Sequence, residues 1–391
     1  MSPLLLQSVT AFGITLALIC LLAPVARRVG LTDKPSVRKH HEGNVPLIGG
    51  VAIFLALCVG GFVWGYSNES MILVNGNNAI WVFFAAGLLI VTMGCLDDRF
   101  GLGVFVRVLT EVTVALIVIE GLDLRVGSLG NLIDSGDVRL TPVIAYPFTV
   151  IAIFGIINAF NMLDGLDGLL AVLVLMALGT FHVITEVAPG FISLFIGAAL
   201  VAFLASNLKL SPFIPKTFLG DAGSKLLGFI VVCLILAAAS QQVGGEKLIP
   251  PATALFIVGL PLFDMVFTTL RRALNRVSPF SADRGHIHHL LLDLGFSQRR
   301  VLVMIAIMSG AISFLGIMLH RGGANEAQQM AVFLGGFVFY SIMISQARLV
   351  ANRLQAANTA ISVSFSQDAS QAGVSGPPKK DERIAVLKPR R

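Results

Sequence analysis

The sequence predicts an all-α polytopic membrane protein, and three observations carry that reading. Of 391 residues, 55% are apolar and only 13% charged, and the mean hydropathy is +0.85. A soluble domain carries about 25% charged residues, so an ordinary soluble enzyme is excluded. Apolar runs of about 18 to 22 residues recur along the chain, each long enough to cross the roughly 30 Å hydrocarbon core as a helix.

Eleven runs read as spans: 4–26, 46–66, 78–96, 104–122, 141–162, 167–185, 188–207, 221–240, 249–270, 301–319 and 329–348. The first has no small-residue cleavage site and ends at Arg27 and Arg28, as a retained span does. With an odd number of spans the termini lie on opposite faces. The loops 27–45, 97–107, 207–225, 271–300 and the tail hold 24 Lys and Arg against 4 on the other side, and 16 without the tail. Basic loops mark the cytoplasmic face, so the N-terminus is expected on the periplasmic, extracytoplasmic side and the C-terminus in the cytoplasm. The net charge of +6 therefore belongs to loops flanking a membrane, and no nucleic-acid partner is expected. Trp64, Tyr66 and Trp81 read as interfacial anchors.

Between the fourth and fifth spans, turn residues among Val, Leu and Ile suggest a short extracytoplasmic β-hairpin near 123–140. Residues 1–350 read as one transmembrane domain carrying the chemistry. Residues 351–391, rich in Ser, Ala and Gln and ending in PPKKDERIAVLKPRR, read as a disordered basic cytoplasmic tail. Cys20, Cys58, Cys95 and Cys233 sit in apolar runs at no metal-like spacing and read as buried core thiols.

Ionisable groups near a bilayer are costly unless they face protein, water or a ligand, so their placement is the sharpest functional signal. Asp97 and Asp98 close the third span, Asn158, Asn161, Asp164 and Asp167 close the fifth, and Asp221 opens the eighth, all at the expected cytoplasmic boundary. Alone, each cluster also reads as a solvated helix end or a helix cap. Together, carboxylate and amide oxygens suit Mg²⁺ or Mn²⁺ held jointly with a substrate phosphate. Gly165 and Gly168 break the fifth helix where backbone would approach a ligand. The loop 271–300 brings the opposite charge, with Arg284, His286, His288 and His289 as phosphate donors more than as a zinc site. Lys34, Arg38 and Lys39 extend a basic rim. Glu111 and Asp264, inside spans, read as buried partners of polar neighbours.

DDRFGL at 97–102, NAFNMLDGLDGL at 158–169, FLGDAGS at 218–224 and SPFSADRGHIHHL at 278–290 occur in the order seen in one family. Over about residues 20–345 the chain resembles the polyprenyl-phosphate N-acetylhexosamine-1-phosphate transferases, glycosyltransferase family 4. The HIHH run is closest to its WecA- and TagO-like branch. MraY-type chains carry three histidines followed by an acidic residue, and a Lys after the paired aspartates, where Arg99 and Phe100 stand here.

The resemblance implies transfer of GlcNAc-1-phosphate from UDP-GlcNAc to undecaprenyl phosphate, with release of UMP, on the cytoplasmic face of the bacterial inner membrane. That reaction would be the first membrane step of lipopolysaccharide, O-antigen or related polysaccharide synthesis. It implies Mg²⁺, with Mn²⁺ as the alternative, held by Asp221 and Asn161. Asp97, Asp98, Asp164 and Asp167 would be catalytic, with Asp97 or Asp98 near the acceptor phosphate and Asp164 and Asp167 shaping the nucleotide pocket. Arg284, His286, His288, His289, Asn158 and Asn207 would bind the nucleotide diphosphate. A homodimer is also implied, and membrane lipid is a partner. Rival expectations are another UDP-N-acetylhexosamine (QuiNAc, FucNAc or GalNAc), UDP-MurNAc-pentapeptide, or a lipid or sugar transporter. A transporter is expected to place its ionisable groups at mid-membrane in repeated halves, and the sequence has neither feature.

Overall fold

The computed structural model describes residues 2–33, 43–64, 79–133, 136–240, 242–243, 246–278 and 285–371. The chain runs through α1 (Pro3–Val29), β1 (Thr32–Asp33), β2 (Val45–Pro46), α2 (Gly49–Trp64), α3 (Ala79–Phe100), α4 (Val104–Leu122) and α5 (Pro142–Leu163). It continues through α6 (Leu169–Thr185), α7 (Phe191–Asn207), α8 (Gly220–Ser240), β3 (Gln242–Val243) and β4 (Glu246–Lys247). The last part holds α9 (Pro251–Ile257), α10 (Gly259–Leu274), α11 (Ile287–Asp293), α12 (Gln298–Arg321) and α13 (Glu326–Gln371).

A helix falls on each of the eleven expected segments, the ninth as the pair α9 and α10. Their lengths differ from the expectation. Six helices (α1, α3, α5, α8, α12 and the first part of α13) are long and apolar enough to cross a membrane, seven if the bent pair is one span. α2, α6 and α7 are apolar but shorter, and α4 carries Arg107, Glu111 and Glu120 in its 19 residues. With at least six such helices the chain is a multi-pass membrane protein. Its outer surface is apolar, as a lipid solvent requires, with Phe62, Val143, Ile151, Ile307 and Phe339 all exposed.

α9 and α10 meet at 86° across Val258. Pro261 explains the break, because a proline there has no N–H for the carbonyl of Ile257 and its ring clashes with that carbonyl. α8 is the axis of the fold and packs on α2, α3, α5 and α6. Every residue from Ala222 to Ala238 is buried. Small residues permit this: a Cβ on Gly50 would stand 2.1 Å from the Gly223 Cα, and one on Gly94 would stand 2.3 Å from the Ala222 Cα. The backbones of α2 and α3 thus press directly on the first turn of α8.

Between α4 and α5 the chain doubles back in a single antiparallel bridge, Ser128 with Arg139. Leu129 N–H donates to Val138 O and Leu140 N–H to Gly127 O, a rudimentary form of the expected hairpin. The two-stranded ladders that do form, β1 with β2 and β3 with β4, were not expected. α13 runs on to Gln371 through the first half of the expected disordered tail, where Leu, Ala, Arg and Gln favour helix; residues 372–391 lie outside the described residues. The cysteine reading needs correction: Cys233 is buried, Cys58 and Cys95 are half-buried, and Cys20 is exposed on α1. An apolar run in a membrane protein faces lipid as readily as core. Trp81 is exposed near the start of α3, while Tyr66 and the Trp64 side chain lie outside the described residues.

Candidate active site

Three helix ends converge: the C-termini of α3 and α5 and the N-terminus of α8. Gly220 begins α8 with φ 70°, and a Cβ there would meet Asp98 Oδ2 at 2.4 Å, so only glycine lets the helix start against that carboxylate. Asp221 N–H donates to Asp98 Oδ1 at 3.1 Å. The other oxygen, Asp98 Oδ2, is buried and has no hydrogen-bond partner among the described residues. Asn161, in the last turn of α5, donates through Nδ2 to Asp221 Oδ1 at 3.0 Å and to Ser224 Oγ at 2.8 Å. Asp98, Asp221 and Asn161 therefore form one oxygen-rich cluster.

α5 ends one residue before Asp164, whose N–H closes the helix on Asn161 O. Burial, followed by the negative charges of Asp221, Asp98 and Asp167, pushes the Asp164 carboxyl up to about 8. Such a crowd of carboxylates calls for a cation. Asp167, next along the loop, already has one, with Lys216 Nζ at 2.6 Å. Gly168, at φ 75°, leads into α6, and its N–H is held by Asn207 Oδ1 at 2.6 Å.

Asp97 has a different environment from its neighbour Asp98. It accepts from Leu102 N–H at 2.8 Å, Arg107 lies at 3.4 Å, and Lys225 Nζ at 3.9 Å. Lys225, buried in α8, stands 3.1 Å from Glu111, which also accepts from Asn158 Nδ2 at 2.5 Å. The expectation that Glu111 meets a polar neighbour is met by this network. Lys225, counted above among the cytoplasmic loop charges, is instead an interior cation.

The His-rich segment reaches the same place from the far end of the chain. His286 precedes α11 and is buried, with Nδ1 2.6 Å from Asp264 Oδ2 on α10. His288 lies against the aspartate loop: a Cβ on Gly165 would stand 2.1 Å from His288 Nε2. The rings of His286 and His288 are parallel at 6.0 Å, and His289 is 4.2 Å from His288.

Of the expected site residues, the structure thus brings together Asp97, Asp98, Asn161, Asp164, Asp167, Asp221, His286, His288 and His289. Asn158 and Asn207 are turned to other work, the first on Glu111 and the second bridging Gly168 to Thr217 O. Arg284, Lys34, Arg38 and Lys39 lie outside the described residues. Lys225, Arg107 and Tyr340, whose O–H donates to Asp264 Oδ1 at 2.9 Å, were missed as site-supporting residues. The signals were present, because a lysine opening an apolar run and a tyrosine within one both demand buried partners.

The oxygen set fits a hard divalent cation, which takes one or two carboxylates and completes its shell with water and substrate phosphate. Among the described residues no group of three or more His, Cys, Asp or Glu stands ready to cage a metal by itself.

The model of the glycosyl transferase family 4 matches residues 80–239, which span Asp97 through α8. Curated relatives extend well beyond that segment. A Yersinia pestis protein named undecaprenyl-phosphate alpha-N-acetylglucosaminyl 1-phosphate transferase is 34% identical over 348 residues, 87% of this chain and 91% of the relative. Proteins of the same name from Salmonella typhi (33%, covering 88% and 92%) and Escherichia coli K12 (33%, covering 84% and 87%) agree. Likeness of that extent, over a chain whose described motif residues converge on one site, makes this protein a member of glycosyl transferase family 4.

Proposed function

We propose that this chain transfers GlcNAc-1-phosphate from UDP-GlcNAc to undecaprenyl phosphate, forming undecaprenyl-diphosphate-GlcNAc and UMP. The observation that carries the reading is the buried, unpartnered Asp98 oxygen beside Asp221 and Asn161, in a chain similar along most of its length to proteins named for that reaction.

In this reaction an oxygen of the acceptor phosphate bonds to the sugar-linked phosphorus, and the bond from that phosphorus to the bridging oxygen of UMP breaks. Several negative charges meet, so catalysis is mainly positioning and neutralisation. Asp98, Asp221 and the Asn161 amide oxygen would hold Mg²⁺ or Mn²⁺, which when bound neutralises phosphate oxygens and orients the diphosphate. His286 and His288 donate to diphosphate oxygens, helped by Arg284. Asp97, steadied by Arg107 and Lys225, faces the acceptor side, while Asp164 and Asp167 line the nucleotide pocket. The N-terminus outside, the C-terminus inside, eleven spans and a cytoplasmic site belong to the same proposal, supported by the charge asymmetry of the loops. The family resemblance supports a homodimer.

The test is UMP release by protein purified in detergent with undecaprenyl phosphate and Mg²⁺, comparing UDP-GlcNAc, UDP-GalNAc and UDP-MurNAc-pentapeptide, with Asp221→Asn alongside. Release with UDP-GlcNAc alone, lost in Asp221→Asn, is expected. Release with another donor instead reassigns the sugar, and none from folded, lipid-supplied protein returns weight to a transporter.

A further inference from the structure

His286 stands immediately before α11, and a histidine outside a helix holds no fixed direction unless something buried holds it. Here that something is Asp264. Its carboxylate is 1% exposed and faces three donors from two places in the chain, the adjacent His286 and Ile287 and the distant Tyr340. Oδ2 lies 2.6 Å from His286 Nδ1, Oδ1 accepts from Ile287 N–H at 2.9 Å, and Oδ1 accepts again from Tyr340 O–H at 2.9 Å. His286 and Tyr340 are themselves buried, so no water competes for these bonds. Arg348, one helical stretch beyond Tyr340 on α13, donates to Gly285 O just before the histidine and lies over the Phe267 ring of α10. The loop is thus pinned on both sides of His286.

We propose that Asp264 is a positioning residue for His286, with Tyr340 fixing the carboxylate in turn. The inference deepens the reading above and rests on it, since it assumes that His286 meets the donor diphosphate. A carboxylate is an all-acceptor group, so facing three donors it requires a proton on Nδ1, and a ring that also donates to a phosphate oxygen carries its second proton on Nε2. Nδ1 is then committed to Asp264, and Nε2 is the ring atom directed at a ligand. This is how outer carboxylates orient histidines in metal and acyl-transfer sites. An asparagine keeps the shape but offers one acceptor oxygen and an NH₂. That NH₂ opposes the Nδ1–H, and the ring escapes the clash only by giving up its Nδ1 proton, which leaves a neutral and weaker donor toward phosphate. Asp264 and Tyr340 lie beyond residues 80–239 that match the family model, so this device ties the C-terminal helix to the catalytic region.

The experiment is a double-mutant cycle on the purified full-length protein, read as UMP release with UDP-GlcNAc and undecaprenyl phosphate each varied in turn. Asp264→Asn is expected to lower kcat/KM for the UDP-sugar by about tenfold or more, the range of lost outer-shell partners. KM for undecaprenyl phosphate should be unchanged. Tyr340→Phe should give a smaller loss of the same kind. In a His286→Gln background neither change should cost further activity, because the group that they orient is gone. Losses that multiply with that of His286→Gln, or that fall equally on both substrates, overturn the proposal and leave Asp264 a packing residue. If Asp264→Asn does not fold, Tyr340→Phe alone decides the cycle. Full activity in His286→Gln instead overturns the assignment of His286 to the diphosphate, and is told apart by occurring without any change at Asp264.

Discussion

Asp97 and Asp98 share a peptide bond and both meet Asp221, but only one of them has cations at hand. Asp97 is neutralised by Arg107 and Lys225, while Asp98 presents a bare oxygen beside Asp221. Sequence spacing could not separate the two, because both close the same turn of the same helix. Asp164 gives a prediction at this scale. In the folded, cation-free protein its carboxyl keeps a proton up to about pH 8, whereas in the unfolded chain it loses that proton near 3.8. Between those values the folded state binds more protons, so its stability falls as pH rises. Thermal unfolding of EDTA-treated protein is expected to show a midpoint that declines from about pH 5 to about pH 8 and then levels off, and Asp164→Asn should flatten the decline. A full slope in the variant would place the titration elsewhere. The candidate oxygens were legible in the motifs, and Lys225 gave a signal as a lysine opening an apolar run, but which carboxylates it and Arg107 answer becomes visible only when helices cross.

At the scale of elements, the interior ion pair is a clasp on four helices. Asp97 comes from α3, Glu111 from α4, Asn158 from α5 and Lys225 from α8. Breaking a buried pair leaves an uncompensated charge and costs about 3–5 kcal/mol, while replacing both partners by apolar groups is often close to neutral. Lys225→Met is therefore expected to lower the melting point in detergent by several degrees, and Lys225→Met with Glu111→Leu to recover most of it. A double variant no more stable than the single one would show that the pair does not hold the helices. Apolar runs marked every helix here, yet not where α9 turns into α10. Pro261 was in view, but a proline can kink a span, start one or sit at its end, and only packing decides among these.

For the whole molecule, the orientation proposed above from the basic loops gives a labelling prediction. In a cysteine-free background, a membrane-impermeant maleimide applied to right-side-out vesicles should modify Ile133→Cys in the α4–α5 connection. It should leave Phe213→Cys before α8 untouched, both positions being exposed. The reverse pattern would invert the molecule. The general plan, many apolar helices with one polar end, was legible because charge is so scarce in this chain. The placement of α8 at its centre was not, since a helix apolar all round looks the same whether lipid or protein surrounds it. That central position bears on how the protein is made. α8 carries Asp221 and Lys225 into a bilayer that would resist them singly, yet α4, with Glu111, emerges from the ribosome more than a hundred residues earlier. In the topology proposed above, the counter-ion is thus already in the membrane when Lys225 arrives, and α8 enters as the keystone of a half-built arch, never as a helix alone in lipid.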